Sequence, residues 1–203
     1  MSNWTKLATD EEIKKTSEAL VANGIKTIIV ENGKEAKEKA LSMIEKGATV
    51  MTATSITAQQ IGLDSAIDES KDFVSLRNKI MALPQSEQRT QARHINSAPD
   101  YVIGSVHAVS EDGKVVIASN SGSQIAPYAF SASHVIWVVG AQKIVKNLDE
   151  AIKRIEEHTF KLEDERMMQA YGMHSGIRKL LIVNSEIMPE RIVLIFVKEK
   201  LGF

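Results

Sequence analysis

The chain contains no cysteine. That absence removes structural disulfides, thiolate nucleophiles and cysteine-held iron–sulfur clusters together. Charge of one sign is also missing. The 25 basic residues are matched by 26 acidic ones, which leaves no electrostatic footprint for nucleic acid or for a membrane surface. No stretch approaches the roughly 18 consecutive apolar residues of a membrane span, and no basic N-terminal segment leads into an apolar run. A cytoplasmic location is therefore expected. Neither a Gly-x-Gly-x-x-Gly turn nor a Gly-Lys-Ser/Thr phosphate loop occurs, and no Gly-x-Ser-x-Gly elbow marks a hydrolase serine. His94, His134, His158 and His174 show no His-x-x-x-His spacing, and no carboxylate completes a ligand set. No metal and no cofactor are expected.

What is present is ordinary globular material. With 43% hydrophobic and 25% charged residues in 203, the chain is long enough to bury a substantial core and is expected to form one domain over residues 1–203. The periodicity alternates between helix and strand. Thr9-Asp10-Glu11-Glu12 opens a helix that stops at Asn23-Gly24. Ile25 to Val30 reads as a buried strand, Lys34 to Lys46 as an amphipathic helix, and Ala48 to Thr52 as a second strand, forming a βαβ unit with a right-handed crossover. Residues 57–61 read as a short helix capped by Thr54 or Ser55. Residues 64–100 read as helical excursions around 73–81 and 87–95, packed on a sheet edge. Strands are expected near 134–139 and 191–198, and helices over 147–158 and 161–171.

The most informative stretch runs from Gly104 to Gln124. It reads as two apolar strands, 101–110 and 114–118, joined at Asp112-Gly113 by a type I′ turn. The second strand runs into Asn120-Ser121-Gly122-Ser123-Gln124, whose short polar side chains and glycine cannot continue a buried strand. A loop of this kind at a strand end is where an α/β protein places a ligand. A short helix over 124–131, with Pro127 near its start, would point its first amides at the loop, an arrangement suited to a carboxylate or phosphate.

Other polar residues at strand ends complete the candidate set. Ser55 and Thr57 follow the second strand, where their hydroxyls either cap the next helix or bind an anion. His107, on the hairpin strand, would share a face with Ser105 and Val109. It is either a structural histidine or, with its ordinary near-neutral titration, a proton-transfer group. Lys143 follows the strand ending at Gly140, where it either neutralises a ligand's negative charge or is a solvated helix-start lysine. Arg77, Lys79, Arg89 and Arg93 could form a basic wall or simply a solvated face.

The order of these motifs carries a resemblance. Gly47-Ala48-Thr49-Val50 with Thr54-Ser55-Ile56-Thr57 and Ile61-Gly62-Leu63, the hairpin and its loop, the run from His134 to Val145, Asn147 to Ile155, and the closing Arg191 to Phe203 together resemble the LUD (lactate utilisation) domain family in its LutC/YkgG-like, short single-domain form. The resemblance implies an α/β, NagB/RpiA/CoA-transferase-like fold, a mostly parallel sheet with helices on both faces. It also implies an association with oxidation of lactate to pyruvate beside iron–sulfur redox subunits. Short relatives often carry a cysteine cluster between the last helices and the final strand, whereas this chain reads Tyr171-Gly172-Met173-His174-Ser175-Gly176-Ile177 there. Relatives tend to share the lysine at 143. They frequently carry asparagine at the position of His107, and a basic residue where Gln124 stands, so the charge-assisted bidentate pair an arginine would make is lost.

Three readings follow. The first is a subunit that binds a small anionic metabolite, a 2-hydroxy or 2-oxo acid, within a redox assembly. The second is a stand-alone enzyme acting on a phosphosugar or CoA ester. The third is a non-catalytic interaction module. The apolar pair in Lys200-Leu201-Gly202-Phe203 must pack on this domain or on another subunit, such as a second copy in a homo-oligomer.

Overall fold

The computed structural model describes residues 3–203. α1 (Asp10–Ala22) starts in a capping box: the Thr9 hydroxyl accepts from the Glu12 N–H, and the Glu12 carboxylate accepts from the Thr9 N–H. β1 (Lys26–Val30), α2 (Gly33–Ser42) and β2 (Thr49–Thr52) follow. Next come the short α3 (Ile56–Gln60), α4 (Leu63–Glu69), the two-residue β3 (Val74–Ser75), α5 (Leu76–Met81) and α6 (Gln85–Ile95). β4 (Tyr101–Gly104), β5 (Ala108–Ser110) and β6 (Val115–Ser119) lead through a π-helical turn at Pro127–Ser131 into β7 (His134–Gly140) and β8 (Ile144–Val145). α7 (Leu148–Arg154), a π-helical turn at Ile155–Thr159 and α8 (Phe160–Tyr171) form one uninterrupted helical run, and β9 (Lys179–Val183) and β10 (Ile192–Val197) close the fold.

Six strands in the order β1-β10-β7-β4-β2-β3 make the main sheet. Every pairing in it is parallel, which is the α/β class expected. β1 and β2 lie in the same sheet with three strands between them. Side-chain alternation along the central strands sorts the core into two layers. Ile136, Val138, Ile195 and Val197 face α2, α3 and α4 through Ala36, Ala40, Ala58 and Leu63. Val135, Trp137, Val139, Leu194 and Phe196 face Ile13 and Leu20 of α1 together with Val109, Val115 and Ile117. The second face is thus covered by one helix and a further sheet, not by helices alone.

That further sheet has the order β8-β5-β6-β9. β9 pairs antiparallel with β6 from Val115↔Val183 to Ser119↔Lys179. It was not expected from sequence, because its burial is that of an edge strand, with Lys179 and Leu180 exposed. α7 and the start of the π-helical turn pack on the outer face of this sheet, where Ala151 and Ile155 meet Ala108 and Val116.

The hairpin differs from expectation in two ways. The expected strand 101–110 is two strands in two sheets, β4 in the main sheet and β5 in the smaller one, joined by Ser105-Val106-His107. The turn is also not type I′, since Glu190 is the one non-glycine residue at positive φ among the described residues and only Gly113 (φ +82°) of the pair is left-handed. The Gly113 N–H donates to Ser110 O (2.8 Å) and the Ser110 N–H to Lys114 O (2.9 Å). This is a three-residue loop, a type I turn closed by a left-handed glycine.

Gly104, where β4 leaves the main sheet, lies under Tyr128. A Cβ there would fall 2.0 Å from the Tyr128 hydroxyl and 3.0 Å from Ala53 Cβ. Tyr128 is itself buried and edge-on to Trp137, with centroids 5.5 Å apart at 89°, so it has little room to retreat. Gly104→Ala is expected to cost about 1–3 kcal/mol, the range for overpacking a core, read as a lower urea midpoint at unchanged m.

Candidate functional site

The break between β4 and β5 builds the site. Crossing from one sheet to the other, Ser105, Val106 and His107 pass the end of β7, where the chain turns through Ala141–Lys143. Lys143, only 4% exposed, lies beneath that crossing. Its Nζ donates to Thr57 Oγ1, Ser105 Oγ and Val106 O, each at 3.1 Å. No carboxylate is among these partners. Burial first, and then the charge of Arg154, push the lysine's pKa down to about 7.

Arg154, the last residue of α7, is fully buried. It donates through Nη1 to the His107 carbonyl and to Thr159 Oγ1 (3.0 Å), while its Nε and Nη2 have no partner. Burial lowers its pKa to about 10, so it stays charged at neutral pH. Arg154 and, below about pH 7, Lys143 are therefore buried positive charges in one region, and among the described residues neither is hydrogen-bonded to a carboxylate. Burial of that kind is costly unless an anion compensates it.

A cavity of about 370 Å³ opens above Lys143. Of the residues expected to bind a ligand, Ser55, Thr57, His107 and Lys143 line its floor, and Asn120, Ser121, Ser123 and Gln124 form one rim. Gly122 does not line it. It serves the loop's own geometry, with φ +89° and an N–H donated to Ser119 Oγ at 2.8 Å. Ser55 caps α3, accepting from the Ala58 N–H, and also lines the cavity. Thr57 is buried, its hydroxyl donating to Leu201 O (3.3 Å) while accepting from Lys143.

The rim loop is largely occupied with itself. Gln124 accepts from Ser119 Oγ (3.0 Å) and Ser123 Oγ (3.3 Å) and donates to Ala118 O (3.3 Å). Asn120 Oδ1 accepts from Arg178 Nε at 2.8 Å. The loop supplies shape and hydroxyls, and the lysine at the cavity floor is Lys143. Arg77, Lys79, Arg89 and Arg93 line no part of the cavity. Arg77 turns to Asp68 (3.5 Å) and Asp64 (3.9 Å).

His107 does not sit on a strand, so the shared face expected with Val109 fails: Val109 is in the core, while Ser105, Val106 and His107 all border the cavity. Its Nδ1 accepts the Ala118 N–H at 3.1 Å, which fixes the neutral tautomer with hydrogen on Nε2. Burial, reinforced by Lys143 and Arg154, lowers its pKa to about 3. It is therefore a neutral hydrogen-bond donor at physiological pH, unsuited to shuttling a proton. Its folded pKa lies below the unfolded value of about 6.5, so it contributes a loss of stability as pH falls from about 6.5 towards 3. In an NMR titration its ring carbons should not shift between pH 5 and 8, and a midpoint near 6.5 would contradict this assignment.

Sequence reasoning missed the far wall. Phe160, Glu163, Met167 and Tyr171 of α8 face the cavity, as does Ile177 of the following loop. Spacings of three, four and four residues put the helical set on one face. Arg166 and Glu163 form a bidentate pair, both contacts 2.7 Å, which neutralises the wall's own charges. The tail comes back over the floor: the Gly202 N–H donates to Gln60 Oε1 (2.7 Å), Gln142 Nε2 donates to Leu201 O (2.8 Å), and Phe203 lines the cavity. Leu201 is buried in this chain's own core. Among the described residues no group of three or more His, Asp or Glu side chains could hold a metal, and no helix is long and apolar enough to cross a membrane.

The model of the LUD domain family matches residues 13–197. The chain belongs to the LUD domain family. A solved structure of a DUF162 family protein from Deinococcus radiodurans superposes on this LUD domain with a TM-score of 0.56 at 13% identity, covering 95% of this chain and 99% of that one. At that identity the likeness concerns the fold. The eIF2B beta structure from Chaetomium thermophilum aligns over 58% of this chain and 41% of its own at 17% identity, with a TM-score of 0.38. No curated protein matches the chain significantly.

Proposed function

We propose that this LUD protein binds the carboxylate of a small 2-hydroxy or 2-oxo acid over Lys143, as a subunit of a lactate-oxidising assembly whose iron–sulfur centres are carried by partner proteins. The observation that supports this reading most strongly is Lys143, buried at the floor of an open cavity with no carboxylate among its hydrogen-bond partners and with Arg154, itself buried, near enough to depress its pKa further. A bound anion would supply the missing charge in a low-dielectric site, where attraction is strong. Ser55 and the His107 Nε2–H are the neutral donors placed to orient the ligand's second oxygen function.

Isothermal titration of the purified protein with lactate and with pyruvate tests the proposal. Saturable binding with a dissociation constant at or below the millimolar range is expected, with a matching rise in melting temperature. Saturation by sugar phosphates or CoA esters, with neither acid binding, would overturn it. The pH dependence has a defined sign. Below about pH 7 the free protein already carries the Lys143 charge, while above it an anion must draw a proton onto the lysine in order to bind. Affinity should therefore fall as pH rises above about 7, by up to roughly tenfold per unit. A flat profile between pH 6 and 9 would remove Lys143 from the site.

A further inference from the structure

The cavity is larger and less polar than a three-carbon acid requires. Its floor carries the hydroxyls and Lys143, but the opposite wall offers Phe160, Met167 and Tyr171 of α8, with Ile177 and Phe203 beside them. The helix that carries this wall is unusual within the fold. α8 buries none of its residues; among the described helices and strands its one substantial neighbour is the π-helical turn at Ile155–Thr159 from which it continues, and otherwise Asp164 ties it to His174 and Ser175 of the following loop. Its Phe160 and Met167 thus present apolar surface to an open space without packing on a strand, as the apolar faces of α1 and α2 do. Exposed apolar surface inside a concave site marks the place where a ligand's own apolar surface is received. The π-turn supports the same view, because an inserted residue re-aims a helix and such insertions concentrate at functional sites.

We infer that the acid bound over Lys143 carries a bulky apolar or aromatic side chain, which packs between the α8 wall and Phe203, so that the preferred ligand is a 2-hydroxy or 2-oxo acid larger than lactate or pyruvate. The inference rests on the carboxylate reading of Lys143 and adds specificity to it. The carboxylate end takes the charged floor, and the side chain takes the apolar wall.

Direct comparison of lactate with 3-phenyllactate by isothermal titration tests it, using the full chain and two variants, Phe160→Ala and Met167→Ala. Both residues are only half-buried, so the fold should survive their truncation, checked by melting temperature. Phenyllactate is expected to bind at least roughly tenfold more tightly than lactate, the scale on which a pocket reads added apolar groups. Each variant should narrow that ratio severalfold while leaving lactate's affinity within about twofold, since lactate is too short to reach the wall. Lactate binding as tightly as phenyllactate, or more tightly, would overturn the inference and leave the carboxylate site standing. An unchanged ratio in both variants would also overturn it, because the preference would then arise elsewhere. If neither acid binds, the carboxylate reading falls and this inference falls with it.

Discussion

Lys143→Met is expected to weaken binding of lactate or pyruvate by roughly 10- to 100-fold, the loss of a charge-assisted hydrogen bond worth about 1.5–3 kcal/mol. The same change should leave the melting temperature nearly unchanged. Two opposing contributions produce that result. Removing Nζ deprives Thr57, Ser105 and the Val106 carbonyl of a donor, and an unsatisfied buried acceptor costs about 1–3 kcal/mol. Against this, methionine of similar length fills the same volume without the burial penalty that lowers the lysine's pKa, and apolar replacement of buried charge is often neutral or stabilising. Titration calorimetry and a thermal melt on the one sample separate a binding lysine from a structural one. A large drop in melting temperature with unchanged affinity in the folded fraction would assign Lys143 a purely structural role.

Trp137→Ala is expected to cost about 3–5 kcal/mol, the range for truncating a large buried aromatic. Trp137 is fully buried on β7, whose neighbours β10 and β4 pair with it on both sides. Its ring holds Tyr128 edge-on, and Tyr128 in turn lines the cavity against Gly104. For a chain of this size each kcal/mol lowers the melting temperature by about 2–4 °C, so a fall of roughly 6–20 °C is expected. Ligand affinity should weaken as well, because the cavity wall loses its support. Trp137→Phe keeps most of the edge contact and should cost clearly less. A Trp137→Ala loss below about 1 kcal/mol would mean that this layer of the core repacks freely.

Much of the main sheet was legible because its strands announce themselves. β7 and β10 are apolar runs bounded by turn residues, and strands buried on both faces must be apolar at every position. The helix starts at Thr9 and Ser55 were legible through capping chemistry, a matter of residues three apart. Errors fell where a long-range contact decides. The 101–110 run reads as one strand, yet Gly104 meeting Tyr128 and Lys143 binding the crossing residues split it between two sheets. β9 escaped notice because an edge strand needs little burial and leaves a weak pattern. The wall of α8 escaped because an apolar helix face reads as core, and only its position shows that it faces a cavity.

Residue chemistry alone therefore settled the α/β class, the hydroxyl-rich loop at the end of β6, and the exclusion of any cysteine-held cluster from this chain, since each depends on local periodicity or on residues that are simply not there. Tertiary structure decided which polar side chains come together. It placed Lys143 and Arg154 in one region with no carboxylate hydrogen-bonded to either, turned His107 into a neutral donor by giving its Nδ1 a backbone N–H, and left the loop's glutamine to satisfy its own neighbours. Charge compensation and burial are sums over groups distant in sequence, such as Thr57 with Lys143 or His107 with Arg154, and no local pattern encodes such a sum.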